Sequence, residues 1–190
     1  MELFPLVPLN LSEWDKWKQF HAGRPCRGKE LKELLDAGHV PIPTRWVDRD
    51  RNEFKRRAGN PDNVPLDLKS RLVGRGDLEN LDGVRTDSPT MDTEGHNLTF
   101  SFAASNGLRI KSADISNAYF QGKELDRILL LKPPKGGLPD PEYEDGETMI
   151  LARVPIYGTP DAGRFFWKQF KEVIEKEGFR ENEILKAFDC

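Results

Sequence analysis

The chain reads as an α+β protein on three grounds. Apolar residues recur at helical spacing in four segments; shorter runs between them alternate with a two-residue period or are rich in branched apolar residues; Gly and Pro separate the two kinds. The 190 residues suffice for one domain or one and a half. With 37% hydrophobic and 32% charged residues, the composition is that of a soluble globular protein on the polar side.

Each element follows from its own residues. "LSEWDKWKQFHAG" predicts an amphipathic helix, with Ser12 as N-cap, Trp14, Trp17 and Phe20 at helical spacing, and Gly23 at its end. "GKELKELLDAG" predicts a second, with Leu31, Leu34 and Leu35 on one face and Gly38 past its C-terminus. "TRWVDRD" reads as a short strand and "AGNPDNVP" as a turn-rich loop. "LKSRLVGRG" alternates Leu68, Ser70 and Leu72 with Lys69, Arg71 and Val73, which gives a strand one basic face.

A loop through Pro89 then leads to a helix over 93–106, with Leu98, Phe102 and Ala103 on its apolar side and Gly107 after it. "LRIKSADI" reads as a strand, and "RILLLKP" and "TMILARVPI" as two more that pair across an acidic loop. The last helix starts at Pro160 and Asp161, sets Phe166, Phe170, Val173 and Ile174 toward the core, and stops at Gly178. "FRENEILKAFDC" begins a further strand. This order approaches a split βαβ arrangement in which the Asp114 strand and the last strand are neighbours.

Charge is unevenly placed. The net charge is −3, yet residues 44–76 carry nine Lys or Arg against five Asp or Glu, and "PDPEYEDGE" carries five acids and no base. Phosphates are met locally and beyond about 10 Å are screened, so a basic segment in an acidic chain can still bind them; an ordinary solvated surface reads the same way. No apolar run approaches the ~18 residues of a membrane span, and the N-terminus lacks signal-peptide character. A cytoplasmic or nuclear protein, not secreted and with no membrane partner, is expected. Cys26 and Cys190 show no metal-ligand spacing.

The chemically suggestive residue is Asp114, in "SADISNAYFQG". Two-metal nucleotidyl transfer needs two ions about 4 Å apart, held by carboxylates from adjacent strands. One Asp supplies half of such a site, and it reads equally well as a cap at its strand end.

Five further blocks accompany it in order: "LKSRLVGRG", "RTDSPT", "LLLKPPKGG", "ARVPIYGTPDAGRFFW" and "GFRENEILKAFDC". Together these blocks resemble the reverse transcriptase domain of copia-type long-terminal-repeat retrotransposons, from about Pro43 to Cys190. The resemblance implies reverse-transcriptase-like fingers and an incomplete palm, a ferredoxin-like split βαβ sheet lacking its last strands. Residues 1–42 would then be an N-terminal helical segment or linker, and residues 43–190 a partial reverse transcriptase domain.

Residue roles follow from the same resemblance. Asp114 would be the first metal-binding aspartate, with the Ile115 carbonyl as a further ligand of two Mg²⁺. Tyr119 would lie under the incoming sugar and exclude a 2′-hydroxyl. Lys69 and Arg71 would hold the triphosphate, Tyr157 and Gly158 would line the nucleotide pocket, and Arg75 and Arg164 would contact nucleic acid. The sequence departs from the common pattern at Ala162-Gly163, where the family carries alanine-proline.

The implied partners are an RNA template, a DNA primer, deoxynucleoside triphosphates and the remainder of a parent polyprotein. The aromatic-x-Asp-Asp pair of the family is not among the 190 residues, and Asp189 does not replace it. The chain is therefore expected to be inactive by itself. A non-catalytic nucleic-acid-binding remnant and a non-functional gene fragment are the alternatives.

Overall fold

A computed structural model describes residues 6–58 and 64–180. Five strands form one mixed sheet: β1 (Gly23–Cys26), β2 (Ile42–Asp50), β3 (Leu68–Gly74), β4 (Leu129–Lys132) and β5 (Met149–Ala152), in the order β1-β5-β4-β2-β3. The helices are α1 (Leu6–Gln19), α2 (Gly28–Asp36), α3 (Glu53–Ala58), α4 (Thr93–Ser105) and α5 (Ala162–Lys176). Among the described residues, no helix is long and apolar enough to cross a membrane.

The expected β4–β5 hairpin forms, antiparallel, with Leu130 opposite Leu151. Sequence patterning did not anticipate its two neighbours: β1 pairs antiparallel with β5, and β4 runs parallel to β2. Along β4 the side chains alternate between faces. Leu129 and Leu131 enter the main core with Trp14, Trp17, Ile42, Leu72, Phe120 and Ile150, whereas Leu130 joins Cys26 and Leu151 under Leu31 and Leu34 of α2. Two-sided burial explains the unbroken "LLL".

α1 packs on β3, so residues before Pro43 build the same core as those after it. Its start differs from the expectation: the helix begins at Leu6, with Ser12 inside it, and Pro8 falls in the first turn, where no backbone donor is needed. Its end differs as well. His21 takes the left-handed turn at φ 49°, which frees Gly23 to open β1, where a side chain would strike Ile150. α2 and its Gly38 at φ 92° match the sequence reading.

The stretch expected as a strand before Asp114 is irregular over residues 108–115. Its alternating Leu108 and Ile110 are exposed, and no described strand lies beside it to accept its backbone hydrogen bonds. The expected neighbour, "ENEILKAFDC", falls in 181–190 with Asp189 and lies outside the described residues.

Two helices bury less than their patterns promise. On α4 only Ala103 of the expected face is buried; Phe102 is 62% exposed. On α5 the core contacts are Ala162 and Phe165, whereas Phe166, Phe170 and Ile174 line an open apolar groove of about 400 Å³ beside Ser88 and Pro89. α3 forms between the expected strand and the expected loop, in a stretch to which the sequence reading assigns no element, and meets that loop only at Ala58; Arg56 and Arg57 pair with Asp50 and Glu53, and residues 59–63 of the loop lie outside the described residues.

Candidate functional site

The β2–β3 hairpin builds a basic face. Its antiparallel register sets Arg45 opposite Val73, Val47 opposite Arg71 and Arg49 opposite Lys69, so alternate residues of both strands share one side. A groove of about 320 Å³ is lined there by Val47, Arg49, Arg51, Phe54, Lys69 and Arg71. Lys69 and Arg71 therefore share a face, as expected. Arg49, Arg51 and Phe54 have no role assigned from sequence; the alternation of "TRWVDRD" carried the signal for Arg49, whereas Arg51 and Phe54 lie beyond that run.

Within this groove Arg51 is committed to Asp67 at 2.7 Å. Among the described residues, Arg49, Lys69 and Arg71 make no ion pair, which leaves them open to an anion. Burial lowers the pKa of Lys69, and Arg71 and Lys16 lower it further, while Glu13 opposes the fall. Such unpaired and crowded cations have a standing electrostatic reason to take up negative charge.

Arg71 also reaches over Tyr157, with its guanidinium 4.6 Å from the ring centroid. Tyr119 meets the other side of that cluster, edge to face with Tyr157 at 5.0 Å between centroids. Phe120 is a core residue, while Tyr119 beside it stays partly accessible, so the aromatic pair divides into an anchor and a surface ring. The division is made by Asn117, whose left-handed φ of 53° starts the short 3₁₀ turn Ala118–Gln121.

Burial pushes the Tyr157 phenol up; Arg71 opposes the rise, while Glu13, Tyr119 and Asp114 add to it. Asp114 and Ile115 are exposed and lie within electrostatic reach of this cluster through Asp114. The fold thus brings Lys69, Arg71, Tyr119, Tyr157 and Asp114 into one region. Among the described residues, no group of three or more His, Cys, Asp or Glu is placed to hold a metal ion.

Gly158 has a local cause. The segment after β5 crosses the end of β3, where the Gly74 amide donates to the Tyr157 carbonyl at 2.9 Å and the Gly76 amide to the Gly158 carbonyl at 3.2 Å. With φ at 89°, a side chain at position 158 would run into the Gly74 carbonyl and Val73. Glycine permits the crossing that seats Tyr157.

Arg75 and Arg164 sit apart from this cluster. Arg75 is held by both oxygens of Asp77, and Arg164 by Asp87, which Arg85 also holds. Asp161 stands immediately before α5, and Gly163 lies where a side chain would press on Ser88, a packing reason for glycine at that departure. Near it Arg127 joins Glu79 and the fully buried Asp161, tying the loop after β3 to the entry of α5.

Comparison with known proteins adds three findings. The profile of the family described as reverse transcriptase (RNA-dependent DNA polymerase) matches residues 33–189. Over 182 residues the chain is 27% identical to the retrovirus-related Pol polyprotein from transposon RE2 of Arabidopsis thaliana; the match covers 92% of this chain and 12% of that polyprotein. No solved structure matches.

Proposed function

Because this chain belongs to the reverse transcriptase (RNA-dependent DNA polymerase) family, of the copia type carried by long-terminal-repeat retrotransposons, we propose that its basic groove receives the triphosphate of an incoming deoxynucleotide. The observation that carries this reading is the meeting of unpaired Lys69 and Arg71 with the Tyr119–Tyr157 pair. Arg71 offers a planar fork to phosphate oxygens, and Lys69 a compact charge beside it. Tyr119 presents its ring where a sugar would follow, and its bulk disfavours a 2′-hydroxyl. Tyr157, held by Gly158, forms the floor; Arg75 and Arg164 lie outside it, and each would contact nucleic acid only by giving up its pairing with Asp77 or Asp87.

The reaction served is attack of a primer 3′-hydroxyl on the α-phosphorus, directed by an RNA template, in a longer polyprotein of which this segment is part. The family uses divalent metal, and Asp114 with the Ile115 carbonyl are this chain's candidate ligands for Mg²⁺. Among the described residues no group of three or more His, Cys, Asp or Glu stands with Asp114 to complete a two-metal centre, and these residues are proposed to bind a nucleotide without extending a primer.

The test is direct. Purified chain is expected to bind a deoxynucleoside triphosphate, with Lys69→Ala and Arg71→Ala each weakening binding roughly tenfold, the loss of a charge-assisted contact. Binding indifferent to both substitutions would sink the groove assignment. Clear Mg²⁺-dependent primer extension would sink the reading of a chain that binds without catalysis.

A further inference from the structure

An aromatic ring stands in the basic face of the β2–β3 hairpin. Phe54 of α3 lines the groove together with Arg49, Arg51, Lys69 and Arg71, and it is 65% exposed. A lone exposed ring is ordinary on a protein surface. This one stands among cations: Arg49, Lys69 and Arg71 make no ion pair among the described residues, and the Lys55 ammonium lies 5.8 Å from the ring centroid.

The hairpin tip holds the ring in place. Asp50, at the end of β2, accepts from the amides of Asn52 at 3.0 Å and Asp67 at 3.1 Å, and it pairs with Arg56 of α3. Arg56 also donates to the Pro65 carbonyl at 3.1 Å, and the Asn52 side chain donates to the same carbonyl at 3.0 Å. Arg51 closes the tip onto Asp67. A helix of six residues is marginal by itself, so these polar contacts, and not a core under its ring, tie α3 to the segments flanking both strands.

We propose that Phe54 stacks on an unpaired base of a single-stranded nucleic acid, with Arg49 of the same groove meeting a phosphate of that strand. Every base has a π-face, and cations for the backbone beside a ring for the base are the two contacts by which single strands are held. A duplex does not offer that face, because its bases are already stacked on one another. An acidic peptide would satisfy the cations and leave the ring unused. The inference goes beyond the triphosphate reading, which uses Lys69, Arg71 and the two tyrosines and gives Phe54 and Arg49 no part.

Binding of a labelled oligothymidylate to the full 190-residue chain, followed by fluorescence anisotropy over a range of salt, tests it. Phe54→Ala is expected to weaken binding roughly tenfold, the order for one stacked base. Phe54→Leu keeps an apolar side chain without a π-face and is expected to lose as much, whereas Phe54→Tyr stays near the parent. A ring that serves packing alone predicts instead that leucine suffices. The Phe54 variants are expected to keep the parent's salt slope and Arg49→Ala to lower it, because phosphate contacts are what release counterions. An abasic deoxyribose-phosphate chain of the same length is expected to bind the parent and Phe54→Ala alike.

Full binding by Phe54→Leu, or an abasic chain that binds the parent as tightly as oligothymidylate does, overturns the stacking role. A protein that binds no oligothymidylate overturns it too. Equal weakening of a deoxynucleoside triphosphate by Phe54→Ala would give the ring to the nucleotide's own base and has the same consequence. Tripolyphosphate binding that ignores Lys69→Ala sinks the triphosphate reading and leaves the role of Phe54 standing.

Discussion

Gly158 and Lys69 show what single residues contribute. At φ 89°, with Gly74 and Val73 against it, Gly158 tolerates no side chain. Gly158→Ala is expected to cost about 2 kcal/mol or more in denaturant unfolding, left-handed strain plus a backbone collision. Gly38→Ala, at φ 92° in open space, should cost about 1 kcal/mol for the strain alone. Lys69 makes a pH prediction. Its pKa is lowered by burial and then by Arg71, and anion binding needs the protonated form, so affinity is full below that pKa and falls as pH rises through it. Lys69→Arg should flatten the fall, measured as tripolyphosphate affinity between neutral and alkaline pH.

The β4–β5 hairpin shows how an acidic loop is closed at the level of an element. Asp145 accepts from the backbone amide and the hydroxyl of Thr148 and from the amide of Glu147, and these hold its carboxyl below the usual carboxylate range. A depressed folded-state pKa contributes stability above the unfolded value, near 4, and loses it as pH falls through the folded one. Thermal unfolding of Asp145→Ala should therefore fall below the parent at neutral pH and converge with it in acid. Helices α4 and α5 illustrate the limit of periodicity: it marked their apolar faces, but a stripe does not say whether anything packs on it.

Across the whole molecule, three distant segments meet at Arg127. Burial alone would lower the Arg127 pKa, but Asp161 and Glu79 outweigh it and raise it, while burial dominates at Glu79 and raises that carboxyl despite the guanidinium beside it. Both shifts describe an ion cluster taken out of water, worth little net but costly to break. Arg127→Met leaves the fully buried Asp161 and the partly buried Glu79 without their cation and is expected to lose about 3 kcal/mol in denaturant unfolding. A loss under about 1 kcal/mol would mean that water reaches Glu79 and Asp161 freely.

The sequence by itself determined the class, most elements and the family. Helical spacing in α2 and α5, the two-residue alternation of "LKSRLVG" and the block containing Asp114 are local features, and local features are written in residue order. Tertiary structure decided what depends on encounter: that "LRIKSADI" has no described partner strand, that Arg51, Arg75 and Arg164 spend their charge on Asp67, Asp77 and Asp87 while Lys69 and Arg71 do not, and that Asn10 of α1 ties that helix to Ser70 of β3. The physical reason is that strand pairing, ion pairing and burial are properties of two segments at once. Neither segment carries them alone.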